Sequence, residues 1–220
     1  LKRPGIEQDG LILYYDFKGK TNYDKNRAIA LNMSNARDWG HIRNVSYTVN
    51  SGFNANNELE FDGVDDYIRL DLGSKPQNAL TIDISMRLDK TRSNQSIIKC
   101  GVNPYLWWVR YHNNKLEFII DDLVHTYIDV SDKFDSLTHL TIVIESDNIS
   151  LWINGIREVG IGFATNPLYI QDTPIYIGMS YPNRQYLRGR IATLRVYNKK
   201  LEESHLIKNR TIDQNRWGNI

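Results

Sequence analysis

Short runs of alternating apolar and polar residues, separated by turn-forming residues, constrain this chain more than any other feature. In the run Glu58-Leu-Glu-Phe-Asp62, the two apolar side chains point one way and the three carboxylates point the other. This is the two-residue period of a strand with one buried face. Similar β-rich runs recur along the chain, and the pair Asn154-Gly155 between two of them is typical of a type I′ hairpin turn. The pattern predicts an all-β protein built from antiparallel strands.

Length and charge narrow the class further. The chain has 220 residues and a net charge of +1. Its length fits a single domain, residues 1–220. Because the sequence begins without Met, we expect it to be part of a longer chain. The charges are scattered, so we expect no nucleic-acid partner. No apolar run reaches the length of a membrane span, and we expect no membrane insertion. The single cysteine, Cys100, excludes an internal disulfide and is predicted to be a buried thiol.

The alternation and turn signals divide the chain into predicted elements. Residues 18–57 read as a long loop with a short strand at Ser46 to Val49. A short helix is predicted from Leu201, with acidic residues in its first turn and its basic end at Lys208 and Arg210. The predicted strands are 10–17, 58–62, 67–70, 79–88, 95–100, 105–111, 115–121, 124–130, 138–145, 149–153, 175–179 and 189–197.

Four of these segments carry a resemblance to a known family. They are Gly10-Leu-Ile-Leu-Tyr-Tyr-Asp-Phe17, Leu59-Glu-Phe-Asp-Gly-Val-Asp-Asp-Tyr67, Leu151-Trp-Ile-Asn-Gly155 and Gly189-Arg-Ile-Ala-Thr-Leu-Arg-Val-Tyr-Asn-Lys-Lys-Leu201. In order and spacing they resemble the concanavalin A-like lectin/glucanase superfamily, in its laminin-G/pentraxin-type jelly-roll form. The resemblance implies a two-sheet antiparallel β-sandwich with a short C-terminal helix, in which 59–67 is a central hairpin. The chain departs from the family at Ala192-Thr193, where an Asp is usual, and at Leu137-Thr-His-Leu140, where Trp-His is common.

The resemblance also implies a possible calcium site, because many members bind Ca²⁺ through loop carboxylates and carbonyls. A second interpretation needs no ion, since aspartates in turns bond neighbouring amides, and the missing Asp near Thr193 weighs against the metal. Zinc is not expected, because the five histidines lack ligand spacing. The candidate calcium ligands are Asp16, Asp24, Asp62, Asp65 and Asp66.

The superfamily also contains retaining glucanases, which place alternating carboxylates on one strand about 5 Å apart. Glu58, Glu60 and Asp62 offer such an alternation. The glucanase order is Glu, Asp, Glu, however, and here the order is Glu, Glu, Asp, followed at once by a turn. We therefore expect no enzyme activity and keep the glycoside hydrolase as the weakest alternative.

A saccharide is bound by aromatic rings against its apolar faces and by polar groups at its hydroxyls. The strands from Tyr105 to Val130 carry such residues, and one of the two tryptophans, Trp107 or Trp108, is expected to be exposed. The loop from Ser180 to Tyr186 is a second candidate. Core packing remains the alternative for each aromatic residue. The candidate ligand-binding residues are Tyr105, Trp107, Tyr111, Glu117, His125, Tyr127, Asp129, Tyr181, Arg184 and Tyr186.

These patterns predict a non-catalytic, lectin-like carbohydrate-binding module that recognises a cell-surface or cell-wall glycan. The chain is rich in Asn, Ile and Tyr and has no disulfide, which favours a phage structural protein of a tail, neck or head, or a secreted bacterial protein. Its expected place is extracellular or on a virion, where it would serve host adhesion. The alternative is a structural or decoration domain of a virion or surface protein that makes only protein contacts.

Overall fold

The structure is a computed structural model that describes residues 5–18, 28–34, 39–47, 50–71, 75–77, 79–101, 107–120, 123–145, 148–162, 168–170, 173–180 and 185–218. Within these ranges the chain forms strands and one C-terminal helix, α1 (Glu203–Trp217). The strands are β1 (Leu11–Asp16), β2 (Ile29–Ala30), β3 (Gly40–Arg43), β4 (Gly52–Phe53), β5 (Leu59–Asp62), β6 (Tyr67–Asp71), β7 (Lys75–Gln77), β8 (Ala79–Leu88), β9 (Asn94–Cys100), β10 (Trp107–His112), β11 (Lys115–Ile120), β12 (Leu123–Asp129), β13 (Thr138–Glu145), β14 (Asn148–Ile153), β15 (Ile156–Gly162), β16 (Leu168–Ile170), β17 (Pro174–Ile177), β18 (Met179–Ser180), β19 (Gln185–Tyr186) and β20 (Arg188–Tyr197).

Two large antiparallel sheets make up the body of the protein. Sheet A runs in the order β15-β14-β13-β8-β20-β5-β4, with β1 also paired to β20, and sheet B runs in the order β12-β11-β10-β9-β17-β6-β3-β2. Two short pairs, β16 with β7 and β18 with β19, accompany them. The predicted fold class, an all-β two-sheet sandwich with a short C-terminal helix, is confirmed.

The core lies between the inner faces of the two sheets. Leu59 and Phe61 of β5 are buried there, as the alternation predicts, and so are Leu80, Ile82 and Ile84 of β8. A fully buried aliphatic or aromatic side chain stabilises a fold by about 1.5–3 kcal/mol. Cys100 belongs to the same cluster and has no exposed surface, which confirms the predicted buried thiol.

Two tight hairpins fix the register of the outer strands. Asn154 and Gly155 have φ angles of 51° and 78°, so the predicted type I′ turn joins β14 to β15. Asn113 and Asn114 have φ angles of 49° and 64° and form the same kind of turn between β10 and β11. A two-residue turn sets the pairing of every residue pair that follows it.

Three local predictions are wrong. Residues 18–57 are not only loop, because β2, β3 and β4 lie within them. Ser46 and Tyr47 are not in a strand, and residues 48–49 lie outside the described ranges. The segment Asp62–Asp66 does not close a hairpin, because β5 belongs to sheet A and β6 belongs to sheet B. Its aspartates therefore sit where the chain passes from one layer to the other.

Helix α1 covers part of the outer face of sheet A. It continues well beyond the predicted basic end at Lys208 and Arg210, and its last turn holds Arg216. Leu206 packs into a second apolar cluster with Val143 and Tyr197. Tertiary packing supplies the stability that lets the helix continue past its local end signals. No helix in the described part of the chain is both long and apolar enough to cross a membrane.

Under α1 lies a buried ionic network rather than an apolar seam. Arg195 of β20 forms ion pairs with Asp83 of β8 and Asp213 of α1, and all three side chains have no exposed surface. His139 of β13 lies 2.6 Å from Asp83. Burial would raise the pKa of Asp83, but the neighbouring His139 and Arg195 outweigh it and lower that pKa to about 2. The network ties the helix to three strands of sheet A.

Candidate functional site

The outer face of sheet B carries a set of polar side chains at the edge formed by β10, β11 and β12. Strand register places them in two rows, Arg110 beside Glu117 beside Tyr127, and His112 beside Lys115 beside Asp129. Because side chains two residues apart share a face, both rows point away from the core. We call this surface the polar face; it comprises Arg110, His112, Lys115, Glu117, Tyr127 and Asp129.

An ion-pair cluster anchors the polar face. Arg110 Nε lies 2.6 Å from Glu117 Oε2, and His112 Nδ1 lies 3.3 Å from Glu117 Oε1. Glu117 is only 9% exposed, and the hydrogen bond that Arg110 Nε donates to Oε2 holds its carboxylate in one orientation. Charge-assisted bonds of this kind are shorter and stronger than neutral ones.

Tyr127 is the aromatic residue of the polar face. Its side chain is 57% exposed, and Lys115 Nζ lies 4.0 Å from the centre of its ring. Asp129 is also exposed. The structure therefore brings three of the candidate ligand-binding residues to one outward face, Glu117, Tyr127 and Asp129, and their role in binding stays a prediction.

The expected exposure of a tryptophan is wrong, and the candidate ligand-binding residues Trp107 and Tyr111 are buried. Trp107 and Tyr111 belong to the core cluster, with 0% and 1% exposure. The register explains this, because Tyr111 pairs with Leu116, which is itself core. Trp108 is turned toward the outer side, yet it is only 1% exposed. The cationic groups of Lys99 and Arg110 lie 5.1 Å and 4.8 Å from its ring centre and cover it.

Several predicted binding residues cannot be placed against this face. Tyr105, Tyr181 and Arg184 lie outside the described residues, as does the side chain of His125 on β12. Tyr186 is half-buried on β19, where it pairs with Met179. The structure thus brings together three of the predicted residues on one face and buries two others.

Sequence reasoning missed three members of the polar face, Arg110, His112 and Lys115. The signal was present in the Asn113-Asn114 turn, because a two-residue hairpin loop makes His112 and Lys115 direct partners. Counting outward from that pair also places Arg110 beside Glu117.

The predicted metal ligands separate into two places. Asp62, Asp65 and Asp66 form a group whose ligand atoms all lie within 4.8 Å of one another. Asp16 is instead buried beneath α1, where Arg216 Nε lies 2.8 Å from its Oδ2. Asp24 lies outside the described residues. A shared site that includes Asp16 is therefore ruled out among the described residues.

The acidic group also has the bonds expected of turn-forming aspartates. The Asp62 amide donates to Asp66 Oδ2 at 2.9 Å, and the Val64 amide donates to Asp62 Oδ1 at 2.7 Å. Burial raises the pKa of Asp66 to about 6, and the carboxylates of Asp62 and Asp65 add to that shift. Carboxylate oxygens suit a hard cation such as Ca²⁺, so the donor type fits while the bonds within the turn already use part of its capacity.

Two of the three carboxylates of the hydrolase alternative, Glu58 and Glu60, lie beside one arginine. Arg190 Nε lies 3.2 Å from Glu60 Oε1, and its Nη1 lies 3.9 Å from Glu58 Oε2. Glu58 is only 2% exposed and also accepts a hydrogen bond from Asn54 Nδ2 at 2.8 Å. A buried carboxylate bonded in this way is not presented to a sugar, so the geometry favours a structural part for Glu58.

Solved structures with a similar fold are binding domains of bacterial toxins. The receptor-binding domain of botulinum neurotoxin C/D mosaic serotype superposes with a TM-score of 0.70 at 15% identity, over 97% of this chain and 55% of that one. The ligand-binding domain of serotype D in complex with N-acetylneuraminic acid gives 0.70 at 16% identity, over 96% and 54%. The serotype G binding domain gives 0.69 at 14% identity, over 95% and 54%. The chain spans about half the length of these neighbours.

Comparison with protein families identifies the family of the chain. No curated protein matches it. A laminin-G-type family model, described as concanavalin A-like lectin/glucanases superfamily, matches residues 62–206. That match covers more than half of the chain and includes most of both sheets, so the chain belongs to the concanavalin A-like lectin/glucanase superfamily.

Proposed function

We propose that this protein is a non-catalytic carbohydrate-binding module and that it binds a glycan on the polar face. The observation that carries the proposal is the exposed ring of Tyr127 directly beside the fixed Arg110 and Glu117 pair. An aromatic ring offers an apolar surface to the C–H face of a sugar, and charged groups beside it bond the hydroxyls. The polar face has both kinds of group on three adjacent strands.

The polar face offers both hydrogen-bond donors and hydrogen-bond acceptors, which recognition of a sugar requires. Arg110 and Lys115 only donate, Glu117 and Asp129 accept, and His112 can do either. Sugar hydroxyls donate and accept at once, so they can bridge such neighbours. Arg110 and Glu117 are already fixed by their ion pair, which lowers the entropy cost of ordering them on binding.

The family and the structural neighbours support a binding role. The neighbours are receptor-binding domains, and one of them holds N-acetylneuraminic acid. We propose an extracellular or virion-associated setting, in a phage tail, neck or head protein or in a secreted bacterial protein, where the target would be a cell-surface or cell-wall glycan and the role host adhesion. The absence of a disulfide and the Asn-rich composition support that setting.

A glycan array comparing wild type with Tyr127→Ala tests the proposal. We expect Tyr127→Ala to weaken binding about tenfold, which corresponds to about 1.4 kcal/mol. Tyr127→Phe keeps the ring and should retain most of the affinity. Tyr47→Ala is the matched control, because Tyr47 is also exposed but stacks against Phe53 away from the polar face. Equal binding by Tyr127→Ala and wild type would refute the assignment of the site.

The second candidate is a structural or decoration domain of a virion or surface protein. The same exposed ring and charges could contact a protein, since aromatic and arginine residues are enriched at interfaces. This alternative predicts that the folded protein binds no glycan on the array, while Tyr127→Ala impairs assembly with its protein partner. A hydrolase predicts turnover of β-glucans that is lost in Glu60→Gln, and we expect no turnover in either protein.

Calcium is the cation that Asp62, Asp65 and Asp66 would take. Its effect there would be to neutralise three carboxylates where the chain crosses from sheet A to sheet B. If it binds, adding Ca²⁺ after EDTA treatment should raise the thermal midpoint of wild type, and Asp65→Asn should reduce that rise. Asp71→Asn, an exposed aspartate on β6, is the control. Equal midpoints with Ca²⁺ and EDTA would show that the group is a metal-free turn.

A further inference from the structure

The outer face of sheet A holds a recess on the opposite side of the sandwich from the polar face. Its volume is about 300 Å³, at the lower end of the range for small-molecule sites. Side chains of β5, β8 and β20 line it beyond the area that α1 covers. We call it the arginine pocket after its three guanidinium groups, which belong to Arg87, Arg188 and Arg190.

Arg87 is the arginine of this pocket for which the described residues supply no ion-pair partner. It lies on β8 directly opposite Arg190 of β20, and like charges facing each other across strands are destabilising. Its Nε is buried without a hydrogen-bond partner. Arg190 is bonded on its other side to Glu60, whereas no residue in the described part of the chain forms an ion pair with Arg87. The side chain therefore lines the pocket with a buried Nε donor that no described residue engages.

Four acidic groups line the pocket: Glu60, Asp89 and Asp135 have ion-pair partners, and Asp62 accepts a hydrogen bond from the Val64 amide. Asp89 Oδ2 lies 2.9 Å from Arg188 Nε, and Asp135 Oδ2 lies 2.9 Å from Lys90 Nζ. A cationic ligand would have to compete with these pairs, whereas an anion would add a bond that Arg87 lacks. Guanidinium groups match the geometry of carboxylate and sulfate oxygens through paired N–H donors.

The volume of the pocket and its hydrogen-bond acceptors indicate what the ligand contains besides its anionic group. A bare oxyanion would leave most of the volume unfilled. Carboxylates that are engaged in one ion pair still have free lone pairs, which can accept bonds from hydroxyl groups. Glu60 and Asp89 supply such acceptors on both sides of the arginines.

We propose that the arginine pocket binds an acidic monosaccharide unit, with its carboxylate or sulfate group between Arg87 and Arg190. Hydroxyl groups of the same ring would donate to Glu60 and Asp89. The pocket is separate from the polar face, so it gives the module a second contact and a preference for anionic glycans.

Isothermal titration calorimetry with D-glucuronate, D-glucose and sodium sulfate tests the inference. We expect glucuronate to bind and glucose to bind at least about tenfold more weakly. Arg87→Gln should weaken glucuronate binding about tenfold or more. Arg69→Gln is the matched control, because Arg69 is a half-exposed arginine on β6 of the other sheet and should leave binding unchanged.

Two further measurements keep the outcomes separate. Arg87→Lys retains the charge but not the paired donors, so a folded variant with intermediate affinity is expected; circular dichroism checks the fold of each variant. Tyr127→Ala should bind glucuronate as wild type does, which separates this pocket from the polar face. Any one of three results would overturn the proposal. They are equal affinity for glucose and glucuronate, sulfate binding as tight as glucuronate binding, and undiminished glucuronate binding by folded Arg87→Gln.

Discussion

Replacing Asp213 by Ala removes the one carboxylate by which α1 joins the buried network of sheet A. Asp213 accepts from two nitrogens of Arg195 and from the hydroxyls of Ser85 and Thr193, each hydroxyl at 2.7 Å. Removing one partner of a buried ion pair costs about 3–5 kcal/mol, because the other charge stays buried. Asp83 still pairs with Arg195 and limits the loss. We therefore expect the free energy of unfolding to fall by about 3 kcal/mol or more.

Urea unfolding followed by tryptophan fluorescence measures this loss. Hydrogen exchange of the α1 amides would show whether the helix leaves the sheet before the sandwich unfolds, which the docking role of Asp213 predicts. Asp71→Ala is the control, since Asp71 is 58% exposed and lies 3.7 Å from Arg69; such surface pairs contribute about 0–1 kcal/mol. If the two variants lose the same free energy of unfolding, the buried network does not hold the helix as argued.

Three other predictions follow from burial and charge. Asp83 has a folded pKa of about 2, below its unfolded value, so the stability it contributes is present above about pH 4 and is lost as the pH falls toward 2. Stability should therefore fall by on the order of 2 kcal/mol between pH 4 and pH 2. Asp83→Asn should reduce that fall, and urea titrations at the two pH values measure it. Trp107→Ala should destabilise the protein by about 3–5 kcal/mol in the same assay, because the ring lies in the core. Burial raises the pKa of the Cys100 thiol to about 12, so a thiol reagent at pH 8 should react only after unfolding.

Strand positions were predictable because hydrophobic alternation and turn residues act locally. The runs that became β5, β8, β13 and β14 show the two-residue period directly, and the Asn154-Gly155 turn was identified from its two residue types alone. The alternation left the two faces of β10 unassigned because aromatic residues occupy both of them. The Asn113-Asn114 turn would have resolved this, since it pairs Tyr111 with Leu116 and Arg110 with Glu117.

Other features depended on contacts between distant segments. Asp16 was a candidate calcium ligand, but its partner Arg216 comes from the far end of the chain. The length of α1 came from its docking through Leu206 and Asp213, because isolated short helices are marginal in water. The unpartnered state of Arg87 depends on β8 and β20 being neighbours in sheet A, with Arg87 opposite Arg190.

The sequence by itself determined the β-sandwich, because the period of the apolar residues decides which side chains must leave water and needs no long-range information. It also determined the family, through four ordered segments. The tertiary structure alone decided which side chains share the polar face, which carboxylates are paired and which arginine has no ion-pair partner among the described residues. Those properties depend on register and on contacts between residues far apart in the chain, and a one-residue shift in register exchanges the buried and the exposed face of a strand.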